Sequence, residues 1–176
     1  RLSIIDLSDK GKQPFVSKDE NYVITLNGEI YNFKEIKKEL STKNISFKSN
    51  TDTEVILEAY KFWGVDFVKR LRGMFAFAIW DMLNKKLVLA RDPFGIKPLY
   101  YSKKNGIYYF ASQVKSLQSV EHISSNFSEA GIMSYYLWGH LQNPYTLYKD
   151  IKSLNKGTCL VINDKGDEER YTYAEI

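Results

Sequence analysis

The run Met74-Phe75-Ala76-Phe77-Ala78-Ile79-Trp80 carries no polar side chain at any position. A strand with one face in water alternates apolar and polar residues, so an unbroken apolar run reads as a strand covered on both faces. Such a strand requires more than two layers of secondary structure.

The flanking segments supply the other layers. A turn near Met82 to Asn84 separates this run from Lys85 to Ala90, a hairpin. Leu99 to Tyr101 and Ile107 to Ala111 flank Lys103-Lys104-Asn105-Gly106, and Thr158 to Ile162 and Glu168 to Tyr173 flank Asn163-Asp164-Lys165-Gly166. Both read as hairpins with glycine at the turn. Tyr22 to Leu26, Asn27-Gly28 and Glu29 to Tyr31 read as a further hairpin around a two-residue turn.

Helical spacing follows elsewhere. Asn32 with Glu35 resembles a capping box ahead of Phe33, Ile36 and Leu40, and Thr51 with Glu54 repeats the device ahead of Val55, Ile56, Ala59 and Tyr60. Gly64 is placed to end that helix, and a helical turn with Phe67, Val68 and Leu71 leads to Gly73. Gln113 to Leu117 reads as one or two helical turns. Ser128 caps a helix whose inner side is expected to carry Met133, Tyr136 and Leu137. Hairpins outnumber strand–helix–strand crossovers, so the class is α+β with mainly antiparallel sheets and helices on the outer faces. A four-layer αββα sandwich accommodates all of it.

At 176 residues the chain suits one domain, and its formal charge of +4 is too small and too scattered for a nucleic-acid groove or an anionic membrane. No apolar run approaches the about 20 residues that span a bilayer. The single cysteine, Cys159, forbids an intramolecular disulfide and a thiolate metal cluster, which fits a reducing, cytoplasmic setting. Its neighbours Thr158, Leu160 and Val161 mark it as a buried hydrophobe rather than a nucleophile. His122 and His140 lack metal-ligand spacing, and Lys34, Lys37 and Lys38 form a solvated helix face. Nucleophile-elbow, Walker and dinucleotide-binding motifs are absent.

What remains is polar punctuation: Arg1 ahead of an apolar segment, Asn27-Gly28-Glu29, Asp52 at a helix start, and Arg91-Asp92-Pro93-Phe94-Gly95. Each has an ordinary explanation as a turn or a helix terminus. Their order and wording nevertheless match a family. Arg1-Leu2-Ser3-Ile4-Ile5-Asp6-Leu7, Asn27-Gly28-Glu29-Ile30-Tyr31-Asn32, Thr51-Asp52-Thr53-Glu54-Val55-Ile56, Gly73-Met74-Phe75-Ala76-Phe77-Ala78 and Arg91-Asp92-Pro93-Phe94-Gly95 resemble the glutaminase domain of glutamine-hydrolysing asparagine synthetases. Phe110-Ala111-Ser112-Gln113-Val114-Lys115 is similar to a family segment that has glutamate where Gln113 stands. Leu154-Asn155-Lys156-Gly157 resembles a Leu-Pro-Pro-Gly turn without its prolines.

The resemblance implies the N-terminal-nucleophile hydrolase sandwich and a reaction in which an N-terminal cysteine attacks the side-chain amide of glutamine, its own α-amino group acting as base. By carry-over, Arg1 grips the substrate α-carboxylate, and Leu2, Ser3, Ile4 and Ile5 line the pocket with backbone. Asp52 pairs with the α-ammonium. Asn27, through its side chain, and Gly28, through its N–H, form the oxyanion hole, and Glu29 contributes a carbonyl. No cofactor is implied for this domain. ATP and Mg belong to a synthetase domain expected beyond residue 176, so residues 1–176 read as one incomplete amidotransferase domain.

Arg1 bears no nucleophile, and the Cys-Gly-Ile strand of the family is not in this sequence. The chain reads as a fragment inactive by itself; the alternatives are a non-catalytic binding or interaction module of the same fold, or the glutaminase half of an amidotransferase acting on a sugar acid. Loss of that strand exposes a sheet edge, which predicts a fragile or self-associating domain, a homodimer included.

Overall fold

The apolar run lies in a strand, Gly73–Asp81, whose side chains divide between two cores. The computed structural model describes residues 12–175. In chain order the elements are β1 (Phe15–Val16), β2 (Tyr22–Ile30), α1 (Phe33–Ser41), α2 (Asp52–Trp63), a 3-10 helix (Gly64–Arg70), β3 (Gly73–Asp81), β4 (Lys86–Arg91), β5 (Tyr100–Lys104), β6 (Ile107–Ala111), α3 (Val114–Gln118), α4 (Glu129–Trp138), β7 (Lys152–Ser153), β8 (Thr158–Ile162) and β9 (Glu168–Thr172). A six-stranded sheet runs β1-β2-β3-β4-β8-β9 and a three-stranded sheet runs β6-β5-β7, with antiparallel pairing throughout.

Phe75, Phe77 and Ile79 of β3 point to a core shared with Ile36 and Leu40 of α1, Ile56 and Tyr60 of α2, and Phe67. An aromatic chain ties these elements: Tyr60 meets Phe67 edge-on at 5.8 Å, and Phe67 meets Phe77 at 5.6 Å. Each such fully buried side chain contributes about 1.5 to 3 kcal/mol by removal from water. On the other face, Ala76 and Ala78 meet Leu89 and Leu160 of the same sheet and Leu99 and Tyr101 beside and within the second sheet. The outer face of that second sheet presents Tyr100 and Tyr109 to Leu117 of α3, Ile123 and Ile151. The order helix, sheet, sheet, helix is the expected αββα sandwich.

The β3–β4, β5–β6 and β8–β9 hairpins stand where the sequence puts them. So does α2, with Thr51 Oγ1 accepting the Glu54 N–H at 3.2 Å. Three expectations need correction. Asn27-Gly28 makes no hairpin: β2 runs through it and pairs with β3 at every position from Tyr22–Asp81 to Ile30–Gly73. Long-range pairing along nine residues outweighs a local turn preference. Asn32 does not cap α1 with its side chain; it bridges to the far end of the 3-10 helix, accepting from Arg72 N and donating to Arg70 O, each at 2.9 Å.

The third concerns α4. Met133, Tyr136 and Leu137 are exposed, and the buried residues are Gly131 and Ser134. A Cβ at position 131 would stand 2.0 Å from Thr146 O, so the helix lies on the following loop through its smallest side chains. Ser134 Oγ completes the contact, accepting from Gln142 N at 2.9 Å. An apolar stripe shows that a helix has a sticky face but not which body covers it.

Candidate active site

Asp52 opens α2 with its carboxylate buried, and its Oδ2 accepts the backbone N–H of Ile30 at 3.0 Å. Loss of water raises its pKa above the ordinary 3.8, and the nearby Glu29 carboxylate pushes the same way, against the stabilising N–H groups of Ile30 and Thr53. This one hydrogen bond joins the Asn27–Tyr31 motif to the Thr51–Ile56 motif.

The lead into α2 is built by Glu54. Its Oε1 accepts Lys48 N at 2.8 Å, and its Oε2 accepts Ser49 N at 2.7 Å and Ser49 Oγ at 2.6 Å. A capping box would turn this carboxylate back to the Thr51 N–H. That N–H instead donates to Ser49 Oγ at 3.3 Å, and Glu54 reaches further upstream to fix the loop from which Asp52 springs.

On β2, Asn27 pairs with Ala76 and faces the second sheet. It lines a cleft of about 210 Å³ between the sheets, with Ala76 and Ala78 below and Pro98, Leu99 and Phe110 opposite. That volume lies under the roughly 300 to 1,000 Å³ of drug-sized pockets and suits a small ligand. Thr25, Ala78 and Phe110 are shared with a wider, more apolar cleft of about 510 Å³ that continues toward Trp80 and Ile162. The smaller cleft contains the amide.

Gly28 has φ +137°, and a Cβ there would stand 2.1 Å from Met74 O and 2.8 Å from Phe75 Cα. Only glycine fits so close an approach. Phe75, its partner in register, has its N–H held by Asp92 Oδ2 at 3.3 Å.

Asp92 and Arg91 were legible only as turn residues, and they are a hub. The buried Asp92 carboxylate accepts N–H groups from Phe94, Ile96 and Lys97 at 2.9 to 3.0 Å as well. Arg91 donates to Gly95 O, Lys97 O, Leu154 O and Ser153 Oγ. Their motif was the available signal; the partners Phe75, Ser153 and Leu154 are too distant in sequence to infer.

The structure thus brings Asn27, Gly28, Glu29 and Asp52 to one end of β2. Arg1, Leu2, Ser3, Ile4 and Ile5 lie outside the described residues. Cys159 is buried in β8 opposite Ala90, and burial pushes its thiol up to about 12. It is not a poised nucleophile. His140 is an exposed residue whose Nδ1 lies 2.9 Å from Trp138 O, apart from the cleft. Among the described residues no helix is long and apolar enough to cross a membrane, and no three metal-ligating side chains stand together.

Comparison with known proteins identifies the family. A glutamine amidotransferase domain family matches residues 1–174. The chain is 42% identical over 173 residues to asparagine synthetase [glutamine-hydrolyzing] 1 of Bacillus subtilis, covering 98% of the chain and 27% of that protein. It is 34% identical to the putative asparagine synthetase [glutamine-hydrolyzing] 2 of Methanocaldococcus jannaschii, covering 100% of the chain and 37% of that protein. The chain thus spans roughly a quarter to a third of the length of these relatives. In three dimensions it is similar to a glutamine phosphoribosylpyrophosphate amidotransferase from B. subtilis, with TM-score 0.68 and 20% identity over 97% of this chain and 34% of that one. That likeness shows the fold, the four-layer αββα sandwich, and the sequence matches show the rest: the chain belongs to the glutamine amidotransferase domain family, as a homologue of the glutaminase domains of asparagine synthetases.

Proposed function

We propose that these residues form the glutamine-hydrolysing part of an asparagine-synthetase-type enzyme, and that Asp52, Asn27 and Gly28 are its substrate-facing groups. The observation that carries this is the placement of a buried carboxylate, Asp52, against the backbone three residues beyond Asn27. A buried, hydrogen-bonded carboxylate beside the strand end that carries Asn27 is a ready partner for an ammonium.

In this reading Asp52 holds the glutamine α-ammonium and Arg1 forks onto the α-carboxylate, while backbone of Leu2, Ser3, Ile4 and Ile5 completes the wall. The attacking thiolate is that of an N-terminal cysteine of the whole protein. It adds to the side-chain carbonyl carbon, and the oxyanion so formed is stabilised by the Asn27 side-chain amide and the Gly28 N–H. Each donor is worth about 3 to 4 kcal/mol in the transition state. Collapse expels ammonia, which takes the thiol proton relayed by the cysteine's α-amino group, and leaves a thioester. Water then cleaves the thioester to glutamate and restores the thiol. Glu29 supplies its carbonyl to the same pocket rim.

The ammonia passes to a synthetase domain that binds ATP and Mg and adenylates a carboxylate, that of aspartate by analogy with the relatives. Ammonia displaces AMP to give the amide. In the full-length protein, Asp52→Asn is expected to abolish glutamine-dependent synthesis and to spare synthesis from added ammonium. A parallel loss of both activities would make Asp52 structural and remove the proposal.

A further inference from the structure

A further apolar exposed surface lies on α4, none of whose residues lines the cleft beside Asn27. Four consecutive residues of α4, Tyr135, Tyr136, Leu137 and Trp138, are exposed, with Met133 one turn earlier; Tyr136 is 81% exposed. Helix α4 buries only Gly131 and Ser134, and nothing within the described residues covers its exposed aromatic and aliphatic side chains. Runs of large apolar side chains of this kind mark contact sites.

A second apolar point stands on the loop 92–97. Phe94 is 66% and Ile96 57% exposed, yet the loop beneath them is fixed. The Asp92 carboxylate accepts the N–H groups of Phe94, Ile96 and Lys97, and the Arg91 guanidinium donates to Gly95 O at 2.8 Å and Lys97 O at 2.9 Å. A rigid loop presenting two bare hydrophobes has its ordering cost already met before a partner arrives. Beside the root of this loop lies a cleft of about 360 Å³, with Arg91, Tyr100 and Ser153 on one wall and Leu141 and Tyr145, from the loop after α4, on another.

The course of the chain names the occupant. Asp92 O accepts Gly157 N at 2.9 Å, and Gly157 O accepts Tyr173 N at 2.9 Å; Tyr173 OH donates to Arg91 O at 2.6 Å. The last described residues are therefore pinned to the root of the Phe94–Ile96 loop. Whatever polypeptide follows residue 176 begins beside that apolar point. The asparagine synthetase relatives devote most of their length to sequence this chain does not span.

We infer that the loop 92–97 and the exposed face of α4 form the docking surface for the polypeptide that follows residue 176, seated across the Arg91–Tyr145 cleft. This rests on the reading above, that the chain is one part of a larger synthetase. Phe94 and Ile96 anchor the seat near the connection, and Met133, Tyr136, Leu137 and Trp138 cover the far side.

The test uses the full-length protein with a photoreactive phenylalanine analogue in place of Phe94 or Tyr136, and a third probe at exposed Tyr31, remote from this surface in sequence, as the labelling control. The expected result is crosslinking from both positions, within one polypeptide, to peptides beyond residue 176. Crosslinks to a second copy, or none from either position while the control reports an active probe, would overturn the inference. Leu137→Glu and Phe94→Asp should each lower glutamine-dependent synthesis about tenfold, as loss of one buried interface anchor does, with less than about a twofold change in glutamine hydrolysis. Unchanged synthesis in both variants would likewise overturn it. A full-length protein that makes both crosslinks but forms no amide retires the proposed activity alone; one that forms amide without the crosslinks retires the docking surface alone.

Discussion

The backbone N–H of Ile30 donates to Asp52 Oδ2 at 3.0 Å, so the end of β2 and the start of α2 are fixed to each other through one carboxylate. Burial raises the pKa of that carboxylate above 3.8, with Glu29 adding to the effect. Pairing with an ammonium needs the ionised form. As pH falls, Asp52 therefore protonates earlier than an ordinary aspartate, and KM for glutamine should begin to climb at a pH above the usual aspartate range. In the full-length enzyme, Asp52→Glu should keep an acid limb, and Asp52→Asn should leave no glutamine-dependent rate to titrate. The same shift has a stability sign. A raised native pKa contributes stability that is present below 3.8 and is lost as pH rises through the native value. At neutral pH the ligand-free Asp52→Asn protein should thus melt higher than the parent, by about 2 to 4 °C per kcal/mol relieved.

Glu54 tests whether the upstream loop positions Asp52. Glu54→Ala strips the acceptors from Lys48 N, Ser49 N and Ser49 Oγ, groups in a part-buried to buried setting. Orphaned donors of this kind cost about 1 to 3 kcal/mol each, so a total near 3 kcal/mol in urea unfolding is expected. Glu54→Gln retains one acceptor and should recover much of that loss. If Glu54 acts through Asp52, glutamine KM follows the same order, Ala above Gln above the parent, with kcat changing less.

Much of this architecture is legible in the sequence because it is set by short-range chemistry. The unbroken run at 74–80 announces a strand with two covered faces, and Thr51–Glu54 announces α2 and puts Asp52 at its first turn. The misread turn and the misread cap share one cause, a partner remote along the chain. Asn27-Gly28 has the local grammar of a turn, but β3, almost fifty residues on, pairs through it. Asn32 has the grammar of a cap, but Arg70 and Arg72 take its side chain. Asp92 and Glu54 are ordinary turn and helix residues until the structure shows which N–H groups meet them. Asn27, Gly28 and Asp52 could be named as a site only through a family resemblance; the pattern of residues alone did not join them.

Cys159 provides a sharp negative. Its thiol is buried between strands and pushed up to about 12, so a thiol reagent should leave it unmodified in the native protein and react on unfolding. Cys159→Ala removes a small buried group at a cost of about 1 kcal/mol. In the full-length enzyme, glutamine hydrolysis by this variant should match the parent within about twofold. A loss of hydrolysis out of proportion to the fall in stability would return Cys159 to the list of nucleophiles.

Gly28→Ala tests the proposed oxyanion role of the Gly28 N–H. The new methyl would stand 2.1 Å from Met74 O at a φ of +137°, so β2 and β3 must part locally. Strain and lost pairing together should cost about 2 to 4 kcal/mol. The same displacement moves the 28 N–H, so kcat for glutamine hydrolysis should fall by about 10² or more, the loss typical of one oxyanion donor. Ammonium-dependent synthesis by the full-length protein should persist wherever the variant remains folded.

Asp92 links the exposed apolar loop to β3 beside Gly28, because one carboxylate holds Phe75 N and the Phe94, Ile96 and Lys97 N–H groups of the loop. Asp92→Ala leaves four buried or part-buried donors without their acceptor, which should cost about 4 kcal/mol or more, a large share of a typical domain's total of about 5 to 15 kcal/mol. Asp92→Asn keeps one carbonyl oxygen for Ile96 and Phe94 and loses the other to an amide that cannot accept from Lys97 or Phe75. Its loss should be about half as large. Hydrogen exchange distinguishes the two ends of the network. In Asp92→Asn the Lys97 and Phe75 amides should lose protection while the paired interior of β3, at Phe77 and Ile79, keeps it. Uniform loss across β3 would mean that Asp92 supports the whole sheet rather than its loop and the strand end beside Gly28.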